Sequence, residues 1–332
     1  MSRRYVSRAL ALTFAFVFAV GSLATATAHA QGWKPSSPVA FVSPSSPAGS
    51  LDLTARLIQK IWDERRTIGV PVVVINKPGA GNGIAWTYLN DRADGLAISI
   101  GNTNLVSNPV TGVHGLGHRD VTPLALMFDD YFVLVVRADS PYKSMLDVRQ
   151  KLQADSGAVA IGFGPGLGSG GHTAAAVAWK SMGADVRKGR FVPYKSAPEG
   201  IVAMLAGEID MVSGTAANMP PFLASGRVRA LAVVGPQQLT GALAAVPTMR
   251  EQGFDAVFTN WRGIVGAKGM RRDQAAYWEN ALAVVNESDA WKKELERNFW
   301  RANFMTGPKL WEFLDAEAVR FRVLLTELGL NK

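Results

Sequence analysis

The chain has 332 residues, 48% hydrophobic and 19% charged, which is enough apolar material for two ordinary domains and too little charge density for disorder. It contains no cysteine, which excludes disulfides, thiolate nucleophiles and cysteine metal sites. Its net charge of +8 comes from lysines and arginines that are scattered rather than striped with aromatics, so no nucleic acid partner is expected.

Residues 1–30 read as a secretory signal peptide. Arg3, Arg4 and Arg8 precede an apolar run from Ala9 to Val20, and Ala28-His29-Ala30 forms a small-x-small cleavage site before Gln31. The run is shorter than the roughly 20 residues a spanning helix needs. Cleavage removes three arginines and no acid, leaving a mature net charge of +5 and a mildly basic field that favours anions. A periplasmic location is therefore expected, and the lack of cysteine excludes a lipid-anchored start.

The mature chain alternates short apolar strands with helical segments. Val39–Val42 predicts a strand, and Ser50–Arg65 a helix with Leu53, Leu57 and Ile61 on one face at a four-residue step. Val70–Asn76 predicts a strand closed by the turn Lys77-Pro78-Gly79. Gly83–Leu89 (helix), Leu96–Ile100 and Phe132–Arg137 (strands) follow, then a helix over Ser144–Gln153 with Ser144 as its cap. Strands at Ala158–Phe163, Phe191–Tyr194, Asp210–Ser213 and Ala230–Val234 alternate with helices at His172–Met182, Pro198–Ala206 and Pro220–Ser225. A strand at Ile264–Ala267 precedes largely helical sequence from Arg272 onward. Such alternation predicts parallel sheets flanked by helices. Asp139-Ser140-Pro141 and the stretch from Gly253 to Trp261 are candidate crossings between two lobes. The expected domains are therefore 31–137 with 258–332, and 138–257.

Two strand-to-helix loops share one design. The first runs from Ser43 through Pro47, Ala48 and Gly49 to Ser50, and the second from Gly164 through Gly168, Ser169, Gly170 and Gly171 to His172. Small residues let backbone amides approach a ligand, and the helix N-terminus behind each favours an anion by about 0.3–1 kcal/mol. Two such ends facing each other make an anion clamp that needs no arginine. The second loop also contains G-x-G-x-x-G at Gly166, Gly168 and Gly171, the basis of the rival reading: an exported enzyme binding phosphate or a nucleotide. The acid that should hold a ribose is missing, because the next strand ends in Lys195.

His114 and His118 sit among glycines and read as loop residues, not as a zinc pair. His172 at its helix start is either a donor to an anion, as neutral ring or imidazolium, or a solvent-facing residue. Asp52 favours its helix dipole more than base catalysis. Asp129 and Asp130, being adjacent, point apart. Trp261 fits a core position or a cleft lining. No cofactor, metal or catalytic residue is expected.

Several motifs resemble the substrate-binding receptors of tripartite tricarboxylate transporters, the Bug or TctC family. Ala48-Gly49-Ser50-Leu51-Asp52 with Ala55-Arg56-Leu57 resembles the family's G-G-x-x-D…A-R-L start. Pro71 to Gly81 is similar to its P-V-V-V-E-N-R-P-G-A-G signature, the most specific match. Asp94-Gly95, Asn108-Pro109, Gly168 to His172, Val192-Pro193-Tyr194-Lys195, Gly226 to Val233, Val246-Pro247-Thr248 and Trp261-Arg262-Gly263 match further family steps in order, across nearly all of the mature chain.

The resemblance implies an α/β, two-lobe periplasmic binding protein of the Venus-flytrap type, type II-like, each lobe a sheet flanked by helices. It implies capture of a small mono-, di- or aromatic carboxylate without catalysis, and delivery to integral membrane transporter subunits. A ligand-sensing receptor role is a further alternative. A monomer is expected. The implied ligand-binding residues are Pro47, Ala48, Gly49, Ser50 and Asp52 in the first loop, and Gly168, Ser169, Gly170, Gly171, His172 and Thr173 in the second. By position, Thr103 and Asn104 form a third lining loop, and Thr215 and Ala216 another. The chain departs from the family at Ala48, Ile75, Leu96, the Gly117-His118-Arg119 step and Ser196. Ala48 in place of glycine adds a methyl near the expected carboxylate pocket.

Overall fold

A computed structural model describes residues 32–47, 49–164 and 166–331; the expected signal peptide and Ala48 lie outside the described residues. Gly32–Lys34 carry no helix or strand, and from Pro35 onward the chain forms one compact unit.

In chain order that unit contains β1 (Val39–Ser43), α1 (Ser50–Arg65), β2 (Val72–Asn76), α2 (Gly83–Asn90), β3 (Ala97–Asn102), α3 (Asn104–Thr111) and β4 (Thr122–Asp130). Next come β5 (Phe132–Arg137), α4 (Met145–Ala154), β6 (Ala160–Phe163), α5 (Gly170–Ser181), β7 (Arg190–Pro193), α6 (Ala197–Ala206), β8 (Met211–Thr215), α7 (Pro220–Ala224) and β9 (Val228–Val233). The chain ends with β10 (Asn260–Gly266), α8 (Arg272–Asn286), α9 (Asp289–Arg297), β11 (Arg301–Met305) and α10 (Gly307–Glu327). Among the described residues no helix is long and apolar enough to cross a membrane.

Two sheets organise these elements, in the orders β11-β4-β10-β3-β1-β2 and β7-β6-β8-β5-β9. They give the two-lobe α/β fold, but neither sheet is purely parallel. β10 runs antiparallel to β3 and β4, and β5 runs antiparallel to β8 and β9. A strand that enters from the other lobe has no helical crossover to turn it around, so it pairs in the opposite sense. Sheet membership changes at Tyr131, ahead of the expected crossing at Asp139-Ser140-Pro141, because β5 pairs wholly within the second sheet.

Period-two alternation along β5 explains how that sheet is sandwiched. Phe132, Leu134 and Val136 join a core with Trp179 of α5, while Val133 and Val135 join another with Ile201 and Met204 of α6. The first of these cores continues into the other lobe through Phe258, Trp261 and Phe321. Phe258 touches Phe132 on one side and Phe321 of α10 on the other, with ring centroids 5.9 and 5.8 Å away.

On α1 the inner face differs from the expected one. Leu51, Ala55, Ile58, Ile61 and Trp62 are buried, whereas Leu53 is 56% exposed. A strict four-residue step drifts around a 3.6-residue helix, and the true stripe mixes steps of three and four. Ser144 caps α4 as expected, accepting from the Asp147 amide while the Asp147 carboxylate accepts from Ser144 N–H.

Candidate ligand-binding site

The second loop is built around His172. Ser169 caps α5, its Oγ accepting from His172 N–H, and the Thr173 hydroxyl donates to the Ser169 carbonyl at 2.8 Å. Gly168 N–H donates to His172 Nδ1 at 3.0 Å. The imidazole is 3% exposed, stacks on Phe163 at 4.7 Å and meets Phe191 edge-on. Burial pushes its pKa down from 6.5 to about 4. The ring is therefore neutral, with Nδ1 committed to the loop, which removes both the imidazolium and the solvent-facing alternatives.

This burial has a consequence for pH. The unfolded chain takes up the proton first on acidification, so the contribution of neutral His172 is complete above about pH 6.5 and is lost as pH falls toward about 4. Between pH 7.5 and 4.5 the loss is about 2–3 kcal/mol. Asp129 and Asp130, raised by burial to about 6 and about 7, act with the opposite sign, because the folded state protonates them first. The His172 term is isolated by comparing urea unfolding of the wild type with His172→Asn at the two pH values. The stability difference between them should narrow on acidification; a difference that stays constant would mean a freely titrating ring.

The first loop is tied to β2. Ser45 Oγ accepts from Asp52 N–H at 3.0 Å, and Asn76 Nδ2 donates to the Ser45 carbonyl and to Asp52 Oδ1. Arg56 Nε donates to Asp52 Oδ2 at 2.9 Å. Asp52 is 1% exposed and both its carboxylate oxygens are engaged by the protein, so it positions the loop. Pro47 and Ser50 are exposed and Gly49 is half-buried at the cap of α1. Among the described residues no hydrogen bond joins this loop to the second one.

The third loop does meet the second. Thr103 stands at the N-cap position of α3 without a side-chain cap bond, and its hydroxyl donates to Asn260 Oδ1 at 3.3 Å. A Cβ placed on Gly170 would stand 3.2 Å from that same oxygen, and one on Gly168 3.2 Å from Thr111 Cγ2 of α3. The starts of α3 and α5, which belong to different lobes, thus converge on β10. Asn104 is spent elsewhere: its Nδ2 donates to the Gly81 carbonyl, as does Asn108 Nδ2, latching the Pro78-Gly79-Ala80-Gly81 turn. That turn holds Gly79, Ala80, Gly81 and Asn82 at positive φ, which explains its glycines and its need for a latch. Thr215 is half-buried at the end of β8, and Ala216 N–H donates to the Tyr131 carbonyl beside the crossing.

Asn260 and Arg262 were not among the expected site residues. Arg262 Nη1 donates to Asn260 Oδ1 at 2.7 Å, so that one amide oxygen accepts from both Thr103 and Arg262. The available signal was two polar residues alternating along an otherwise apolar strand, Asn260-Trp261-Arg262-Gly263-Ile264. Asp130 pairs opposite Asn260 across the sheet, while Asp129 turns to Asn303, so the two acids point apart. A hollow of about 300 Å³ is lined by Lys77, Ile84, Thr87, Tyr88, Asp91 and His114, none of them an expected ligand-binding residue.

The sequence pattern of the tripartite tricarboxylate transporter family receptors matches residues 55–330. A protein from the tcbD-tcbE intergenic region of Pseudomonas sp. strain P51 is 30% identical over 77% of this chain and 75% of its own length. A crystal structure of a TctC solute binding protein from Polaromonas superposes with a TM-score of 0.73 at 25% identity, covering 89% of this chain and 99% of its own. Two Rhodopseudomonas palustris proteins share the fold: Rpa4515 with adipate (TM-score 0.75, 22% identity, covering 89% and 98%) and MatC with bound malate (0.71, 21%, covering 88% and 99%).

Proposed function

This chain belongs to the tripartite tricarboxylate transporter receptor family, and from that premise we propose that it is a periplasmic solute-binding protein capturing a small carboxylate between its lobes. It would hand that solute to integral membrane transporter subunits, act as a monomer and catalyse no reaction. The observation carrying this reading is the meeting of the α3 and α5 N-termini at Asn260. The first amides of a helix have no intrahelical acceptor, and the aligned peptide dipoles make that end attractive to negative charge. Malate and adipate in structural relatives support the same ligand class.

Capture works by population shift. A carboxylate that touches donors from both lobes binds the closed arrangement better than an open one and draws the protein toward it. A panel of acetate, succinate, malate, adipate, citrate, benzoate, amino acids and neutral metabolites tests this by thermal unfolding. A carboxylate present at a hundred times its dissociation constant should add about 2.7 kcal/mol of stability. Stabilisation by uncharged compounds alone would overturn the carboxylate assignment.

A further inference from the structure

We infer that Arg262 is the specificity residue of the cleft, reading the negative charge of the bound carboxylate and rejecting neutral molecules of the same shape. Its role rests on the carboxylate reading above. The guanidinium is half-buried on β10, where Nη1 donates to Asn260 Oδ1 and to the Trp261 carbonyl. No carboxylate lies within salt-bridge distance of it among the described residues. An arginine taken out of bulk water needs negative charge and fork-shaped acceptors to offset its lost hydration, and here its hydrogen bonds go to two neutral oxygens.

The surroundings are biased in one direction. Through Asn260 the guanidinium stands next to the Thr103 cap of α3 and the Gly170 start of α5, both positive dipole ends. An acid, Asp130, lies in register with Asn260, two residues along from Arg262. Asp130 is 6% exposed, and its Oδ1 has no hydrogen-bond partner. Burial raises that acid to about 7 against the opposing pull of the Arg262 charge, so near neutral pH it offsets only part of the positive charge. A cation, two helix starts and a carboxyl ionised only in part leave a net positive spot, which a ligand carboxylate would complete. The second loop can hold a carbonyl as well as a carboxylate through its amides, whereas a guanidinium distinguishes the two by charge.

The test compares acid with amide. The carboxylate of the panel that stabilises the wild type most, and its neutral amide, are titrated by calorimetry into wild type, Arg262→Gln and Arg262→Lys. The wild type should prefer the acid by about ten- to a hundredfold. Arg262→Gln should lose most of that preference while its affinity for the amide changes little, and Arg262→Lys should recover part of it. Unliganded melting curves show that each variant is folded. A carboxylate that binds wild type and Arg262→Gln with the same acid-to-amide preference would overturn the role of Arg262 and leave carboxylate capture standing. A wild type that binds no carboxylate at all would overturn both.

Discussion

Trp62→Ala is expected to destabilise the protein by about 3–5 kcal/mol, the range for emptying a buried tryptophan site. Trp62 is 1% exposed on the inner face of α1. Its ring lies between Phe41 of β1 and Trp278 of α8, each with a centroid separation of 5.9 Å. Its Nε1 donates to the Ala281 carbonyl at 2.8 Å, joining two helices more than two hundred residues apart in sequence. Trp62→Phe keeps most of the apolar volume and loses the hydrogen bond, so about 1–2 kcal/mol is expected. Leu53→Ala, on the exposed face of the same helix, should change stability by no more than about 0.5 kcal/mol. Urea unfolding of the three variants checks the set. A larger cost for Leu53→Ala than for Trp62→Ala would mean that α1 is turned the other way.

That contrast shows where the sequence was readable. The existence of α1 followed from its length and periodicity, but choosing Leu53 over Leu51 and Ala55 depended on a phase that one helical stripe does not determine. Of the strands buried on both faces, β5 and β8 stood out as apolar runs, whereas β4 did not. β11 did not, because Arg301–Met305 is a polar edge strand whose outer residues are exposed. α3 escaped as well, since its asparagine-rich start and Pro109 resemble a loop.

The two glycine-bearing loops were visible because small residues between strand and helix have a local cause. Their partners were not visible. Asn260 joins Thr103 from 157 residues away, and only the fold places Gly170 against Asn260. His172 was legible as a site-loop residue but not as a neutral one, because its state depends on burial against Phe163 and Phe191, which lie on separate strands.

Gly170→Val should weaken carboxylate capture by about ten- to a hundredfold. Gly170 is the first residue of α5, and a Cβ there would lie 3.0 Å from Phe132 Cζ as well as 3.2 Å from Asn260 Oδ1. Neither neighbour yields readily. Phe132 is a core residue whose ring packs on Phe258, and Asn260 is held by Thr103 and Arg262. Alanine needs a shift of a few tenths of an ångström, whereas the two methyl groups of valine need more, and overpacking of that kind costs about 1–3 kcal/mol. The strain pushes the α5 start away from β10, so it acts on the arrangement that gathers the anion donors. With about 1.4 kcal/mol per tenfold, the stated range of affinities follows. Gly115→Ala is the control, since a Cβ there meets nothing within 4 Å. Calorimetric titration of the three proteins with the stabilising carboxylate decides the matter: a folded Gly170→Val that binds as tightly as wild type would place capture somewhere other than the start of α5.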